Sequence, residues 1–431
     1  MQIAILGAGI GGMAAAYDLV KAGHEVTILE GADHPGGLAG GFKEPGWQSS
    51  VENFYHHWFQ TDSHILGLME EVGLRQKVFF PRPKTVMYYK DKFYPLDSPL
   101  AALKFPGYSF PDMVRFGLVG VYLRYLAAWQ PLEKVTAHDW MRRWFGENLY
   151  HLQWEPMLQG KFGPHYKEVN MAWFWARLKA RTTRLGTYQG GFQAFADEFA
   201  EILSGLGVKI LYNTRVQGIR PAENGLTILL ERGELAFDRV LSTTSPAQMA
   251  KLAPDLPQSY LAGLLNLKSM GAVVLILALK HQLSPEGYYW YNLPKAAGFP
   301  FLALVEHTNF VPAEQFGGDH IIYCGDYLDP SHEYFSLSQE ELLQRFLPSF
   351  TRINPAFQPD WVRKAWLKKT PYAQPVPLLN HSRNIPTITT PLPGLYYASM
   401  SQVYPWDRGT NFAVEIGRKA AREILKNASA G

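Results

Sequence analysis

Short apolar runs and helically spaced apolar positions alternate from the start of the chain. Residues 2–6 (QIAIL) form one compact apolar run, and residues 25–29 (EVTIL) form a second that ends at Glu30. Between them, residues 9–22 carry apolar side chains at helical intervals. Brief runs bounded by glycine read as strands, and the spacing between them reads as a helix. The first thirty residues are therefore predicted to fold as β-turn-α-turn-β. The same reasoning predicts a helix over 192–206, strands over 208–212, 226–230, 240–243 and 394–399, and a last helix over 409–426.

Elsewhere the pattern changes. Residues 60–185 are rich in Trp, Tyr, Phe, Met and Pro, with helices predicted over 112–129, 137–160 and 170–181. Residues 265–385 mix predicted strands (272–279, 321–323) with a helix over 339–350. At 431 residues the chain exceeds what one hydrophobic core usually supports. No internal repeat or flexible linker separates its parts. The expected fold is α/β: a Rossmann-type parallel-sheet domain from residues 1–60, 186–264 and 386–431. It interleaves with a mixed α+β domain from 61–185 and 265–385.

Composition narrows the partners. A net charge of +3 without any long basic run argues against nucleic acid. Aromatic residues reach 14%, a content that suits a large apolar pocket for a flat or polyene-like small molecule. Cys324 is the only cysteine, which rules out an intrachain disulfide and a cysteine metal cluster, and no metal site is expected. Strand-like residues begin at Gln2, so no secretory leader is read and a cytoplasmic location is expected. The longest apolar candidate, 116–129, is interrupted by Arg124 and falls short of the ~18 residues that span a bilayer. It reads as a buried or interfacial helix, which leaves peripheral contact with a membrane surface open.

Gly7-Ala8-Gly9-Ile10-Gly11-Gly12 matches G-x-G-x-x-G between a strand and a helix. Gly7 permits the turn, Gly9 lets backbone approach a pyrophosphate, and Gly12 permits close helix–strand contact. The pyrophosphate then lies at a helix N-terminus, with Ile10 and Gly11 in the first turn. Glu30 ends the second strand, where a carboxylate accepts hydrogen bonds from ribose hydroxyls. A second glycine-rich loop, Gly36-Gly37-Leu38-Ala39-Gly40-Gly41, follows at once. Plain nicotinamide dehydrogenases do not need it, so FAD is the cofactor expected, and Cys324 in an apolar strand points to a non-covalent flavin.

These motifs resemble the FAD-binding start of the flavin amine oxidase, protoporphyrinogen oxidase and phytoene desaturase superfamily, with a glutathione-reductase-like nucleotide domain. Much of that superfamily has a basic residue where this chain has Leu38, which leaves the pyrophosphate to backbone amides. The resemblance extends to Val216, whose counterpart gives its backbone to adenine, and to Tyr404-Pro405-Trp406-Asp407-Arg408-Gly409-Thr410-Asn411. In the family this closing motif starts a helix that faces the flavin, which implies Asp407, Gly409, Thr410 and Asn411 as cofactor residues. Small residues at 409, 413 and 417 would let that helix approach the cofactor. Amine-oxidising relatives carry a lysine in a substrate-domain strand. The matching strand here, 272–279, is aliphatic, and amine oxidation is disfavoured.

Two further groups are candidates for catalysis. Glu52-Asn53-Phe54-Tyr55-His56-His57-Trp58-Phe59 resembles the histidine loop of UDP-galactopyranose mutase, which implies His56 or His57 at the flavin. Arg177 and Arg181, four apart on a predicted helix, suit a carboxylate or diphosphate, with Lys161, His165, Tyr166 and Arg184 nearby in sequence. Glu306-His307, Tyr372 and Gln374 are weaker candidates for the same cleft. The expected activity is an FAD-dependent oxidoreductase, an oxidase or desaturase of protoporphyrinogen-oxidase type. It would pass hydride to flavin N5 from a hydrophobic cyclic or isoprenoid substrate with an anionic group. The alternative is a redox-neutral flavin-dependent mutase of nucleotide sugars. Substrate identity, electron acceptor and oligomeric state have no signature in the chain.

Overall fold

A computed structural model describes residues 1–429, and residues 430–431 of the last predicted block lie outside it. Five parallel strands form the first sheet: β1 (Gln2–Leu6), β2 (Glu25–Leu29), β3 (Lys209–Leu211), β4 (Arg239–Ser242) and β5 (Leu395–Tyr397). Their order is β3-β2-β1-β4-β5, the 3-2-1-4-5 of a Rossmann-type sheet. Both faces of β1 are buried, which is why its residues read as a continuous apolar run rather than an alternation. Ile3 and Ile5 join a core with the helices α1 (Ile10–Lys21) and α2 (Thr410–Ser429). Ala4 and Leu6 face a three-stranded antiparallel layer, Val216–Ala222, Gly225–Leu230 and Glu234–Phe237.

The two helices cross where neither carries a side chain. A Cβ on Gly417 would lie 2.1 Å from the carbonyl oxygen of Gly11, and one on Gly11 would lie 3.0 Å from that of Ala413. The small residues at 413 and 417 therefore serve helix–helix packing. This corrects the expectation that they open the last helix toward a cofactor. Gly409 alone has open space around it.

The second sheet has seven strands. Next to one edge runs Ser269–Leu279, buried along almost its whole length, between His320–Leu328 and the long edge strand Val362–Pro375. That edge strand was not anticipated. Its lysines and prolines suit an edge and obscure strand character. Helices cluster beside this sheet. The helix expected over 137–160 is broken: Ala137–Phe145 stops at Gly146, whose φ of +89° ends the turn, and Glu155–Phe162 begins after an intervening wider turn. The predicted 112–129 helix is Phe110–Val121 followed by a π-type turn, Tyr122–Leu126.

Gly417→Ala should destabilise the protein by about 1–3 kcal/mol through overpacking at the crossing. A melting temperature equal to wild type would contradict the contact.

Candidate active site

The first glycine loop and the second are built as one unit. Gly36 N–H donates to Ala8 O at 2.9 Å, and Gly9 pairs with Gly36 in a one-residue parallel bridge. Gly36 and Gly37 have φ of +115° and +58°, and a Cβ on Gly37 would lie 3.2 Å from Gly9 Cα. Both glycines are thus required by backbone shape and proximity. Leu38 is exposed. A Cβ on Gly12 would sit 2.2 Å from Gly7 O, so close strand–helix contact fixes that position. Ile10 is buried as the first residue of α1.

Gly9 is different. Its φ of −69° and ψ of 165° are open to any residue, and a Cβ there would meet no atom within 4 Å. What the missing side chain leaves is room beside the loop. Glu30 closes the other end: Oε2 accepts the Ala8 N–H at 2.7 Å and Oε1 the Ala32 N–H at 2.8 Å. Each oxygen keeps lone-pair capacity beyond these bonds. A cavity of about 400 Å³ opens here, lined by Gly7, Glu30, Thr214, Arg215 and Val216 among others. A glycine-made space, a helix N-terminus and a fixed carboxylate at the far end fit the pyrophosphate and ribose of FAD.

A second cleft lies at the start of α2, with His57, Phe59, Arg177, Arg181, Asp407, Arg408 and Gly409 in its wall. His56 and His57 sit between short strands Val51–Glu52 and Trp58–Phe59. His56 Nδ1 is bonded to Phe54 O, and its ring lies 5.7 Å from Phe192. His57 Nδ1 and Asn53 Oδ1 are buried without a hydrogen-bond partner among the described residues. Burial holds His56 down at about 4. Burial, reinforced by Arg181 and His56, holds His57 at about 3. Both imidazoles are therefore neutral at ordinary pH.

Arg177 lies on the helix Met171–Ala180, and Arg181 is the extended residue just past its end. Arg177 Nη1 meets Asp407 Oδ2 at 3.1 Å, and Lys161 Nζ lies 3.5 Å from the same oxygen. Gln374 Nε2 donates to Asp407 Oδ1 at 3.2 Å and Gln374 Oε1 accepts from Lys161 at 2.8 Å. Burial opposes ionisation of Asp407, but Lys161, Arg177 and Arg408 outweigh it and keep the carboxyl well below its usual range. Asp407 is thus a counter-ion before it is anything else. Arg181 has no carboxylate partner among the described residues and is exposed at the cleft wall. Arg408 bonds the Tyr327 hydroxyl, while its Nε is buried and unpaired.

Thr410 and Asn411 have side chains committed elsewhere. Thr410 Oγ1 accepts from Trp58 Nε1 at 2.7 Å, and Asn411 Oδ1 accepts the N–H groups of His64 and Ile65 at the start of another helix. Their side-chain oxygens are thus acceptors inside the protein, while the Thr410 hydroxyl proton and the Asn411 Nδ2 group stay free to donate. Of the weaker candidates, Gln374 joins the cluster. Glu306 does not: its carboxylate accepts backbone N–H groups from Leu283 and Ser284, and burial raises it to about 8. Arg184 bonds Phe80 O, His165 pairs with Glu168, and Tyr166 bonds Glu155, so none of these three belongs to the cleft. Sequence reasoning missed Arg408, although it lies inside the closing motif.

A glycine-cradled dinucleotide cleft, together with a second cleft at a helix start, fits the architecture of an FAD-binding oxidoreductase. The model of the flavin-containing amine oxidoreductase family matches residues 10–425, and the chain belongs to that family. It is an FAD-dependent oxidoreductase. Over 78 residues it is 40% identical to the zeta-carotene desaturase of Synechocystis sp.. That match spans 18% of this chain and only 16% of the desaturase. Among solved structures, a presumed protoporphyrinogen oxidase from Exiguobacterium sp. 255-15 superposes with a TM-score of 0.79 at 16% identity, covering 99% of both chains. A reduced UDP-galactopyranose mutase superposes at 0.76 with 15% identity, covering 99% of this chain and 95% of the other.

Two outcomes are expected. Gly9→Val should fold with a flavin-free melting temperature near that of wild type, yet retain no FAD after reconstitution; normal flavin absorbance would contradict the cradle. The second concerns pH. Folded His56 and His57 titrate near 4 and 3, against 6.5 when unfolded. The unfolded chain therefore takes up protons first, and stability that is full above 6.5 is lost as pH falls toward those values. Wild-type melting temperature should drop between about pH 7 and about pH 5, and His57→Asn should drop less. Parallel pH curves for the two proteins would refute this.

Proposed function

We propose that the protein is an oxidase or desaturase of protoporphyrinogen-oxidase type. It withdraws hydride from a hydrophobic cyclic or isoprenoid substrate that carries an anionic group. The observation that supports this is the charge at the second cleft. Lys161, Arg177, Arg181 and Arg408 converge there, while Asp407 is bonded by two of them and Arg181 is left for an anion. Near these cations the protein offers rings and aliphatic chains: Tyr55 packs edge-on to Trp290 at 5.1 Å, and Phe59 edge-on to His57 at 5.5 Å. The strand Ser269–Leu279 has no ionisable side chain, so no lysine is available from it to hold a water for amine oxidation. The polyene named in the desaturase relative agrees with an extended apolar substrate.

Bound FAD supplies the hydride acceptor. The chain's own residues bind and orient. Arg181 holds the substrate anion through its planar fork. Arg177, fixed by Asp407, raises the local positive potential. His57, neutral and with Nδ1 unpaired, can accept or donate one hydrogen bond in the cleft. Gly7, Gly9, Ile10, Gly11, Gly12, Glu30, Gly36, Gly37, Leu38 and Val216 hold the cofactor, together with the backbone at Asp407, Gly409, Thr410 and Asn411. This reading assigns cofactor binding to residues 1–60, 186–264 and 386–431, and the substrate to 61–185 and 265–385. A redox-neutral mutase of nucleotide sugars is the second reading, favoured by His57 beside the two arginines, which suit a diphosphate.

Anaerobic mixing distinguishes them. A carboxylated tetrapyrrole or prenylated polyene should bleach the oxidised flavin. Turnover of a nucleotide sugar only after chemical reduction, with no bleaching by any apolar substrate, would replace the first reading by the second. Arg181→Lys should slow substrate-dependent flavin reduction roughly ten- to a hundredfold, because a charged hydrogen bond is worth about 1.5–3 kcal/mol. Flavin content and melting temperature should hardly change. Wild-type rates in this variant would remove Arg181 from the site.

A further inference from the structure

The helix Phe110–Val121 and its continuation Tyr122–Leu126 pack on one side only. Below them, Leu123 is fully buried and Phe116 stacks on Trp154 at 5.8 Å. At about 100° per residue, Phe110, Val114, Leu118, Val121 and Tyr125 fall within an arc of about 80° on the opposite side. All five are exposed, Phe110 by 73%, Leu118 by 68% and Tyr125 by 69%, and Leu126 beside them by 74%. The solvent face of a helix ordinarily carries charged and amide side chains. This stripe has none.

Its flanks are cationic. Lys104, Arg115, Lys134 and Arg143 are exposed in the surrounding segment. Arg115 lies against Gly146, at the end of the helix Ala137–Phe145 that carries Arg143. The Arg143 guanidinium lies over the half-exposed ring of Trp144 at 5.5 Å. The acidic groups of this segment are mostly occupied. Asp112 is buried and bonded to Ser109 and Asn148, Glu133 is buried and bonded to Ser382, and Glu147 pairs with Arg142. Asp139 alone is exposed without a cation, bonded to Thr136.

We propose that this face docks on a bilayer surface rich in anionic headgroups, with the helix lying in the interfacial plane. An apolar stripe with Tyr and Trp at its edges and cations on its flanks matches that environment. A second copy of the chain fits less well, because a twofold contact through the stripe would bring Arg115 and its neighbouring cations toward their own equivalents. Docking is peripheral: among the described residues, no helix is long and apolar enough to cross a membrane. The docked helix is tied to the cleft behind it. Arg124 Nη1 donates to Leu178 O at 2.7 Å and to Arg181 O at 3.2 Å, and Trp175 Nε1 donates to Ala127 O at 2.9 Å. The proposal does not depend on which substrate the cleft takes.

The test is co-sedimentation of the flavin-loaded protein with vesicles of phosphatidylcholine alone or mixed with phosphatidylglycerol, with light scattering in lipid-free buffer. Binding to the mixed vesicles is expected, at least about tenfold weaker on phosphatidylcholine alone and at high salt. Leu118→Ser combined with Tyr125→Ser should weaken it about tenfold or more, with flavin content unchanged. Should that variant fold poorly, Lys104→Glu with Arg143→Glu leaves the packed side untouched and should also weaken binding. Failure of wild type to bind either vesicle would overturn the proposal. So would a lipid-free dimer that Leu118→Ser and Tyr125→Ser dissolve.

Discussion

One ionised carboxylate holds the second cleft together. Asp407 is bonded to Arg177 from the helix Met171–Ala180, to Gln374 from the edge strand and, at longer range, to Lys161. Three segments far apart in the chain thereby converge just before α2 begins. Removing one partner of a partly buried ion pair leaves the remaining charge desolvated and unpaired. Here the loss would leave several cations facing one another. The position of the helix start, and with it Trp58 through Thr410 and the helix capped by Asn411, depends on that carboxylate.

Much of the nucleotide half was legible because its signals are local. A turn, a close approach and a helix start all lie within a dozen residues, and each demands glycine for a separate physical reason. The second cleft was legible only in part. Arg177 and Arg181 both line that cleft, but not by sharing a helical face, since Arg181 is extended past the helix end. Their inequality was invisible because the carboxylate that neutralises one of them is 230 residues away. Likewise Glu306 reads as a polar residue near a histidine, and only the fold reveals backbone amides satisfying it. The strand Val362–Pro375 escaped notice because edge strands carry the lysines and prolines that signal a loop elsewhere. The break at Gly146 was available in principle: a lone glycine inside a helical pattern is a candidate stop.

The histidine loop shows how resemblance and environment combine. A His pair among aromatics suggests acid–base chemistry, but desolvation keeps both rings neutral across ordinary pH. Only His57 lines the cleft, and the cations around it would repel an added positive charge there. The cost of keeping them neutral falls on the folded state in acid, together with His307 and His381, which burial also holds near 4.

The parallel sheet draws β1 from the second residue and β5 from residues 395–397, and α2 then locks onto α1 through Gly11 and Gly417. On the ribosome, therefore, the glycine loops emerge well before the strands that complete their sheet. The sheet waits for β5 and α2, which follow the whole second sheet in the chain. Pairings of such long sequence separation form slowly, since loop-closure entropy precedes any reward. The aromatic-rich helices between must meanwhile stay out of aggregates without a completed nucleotide half beside them. A half-made chain can thus carry both glycine loops and still lack the sheet and helix crossing that give them their shape.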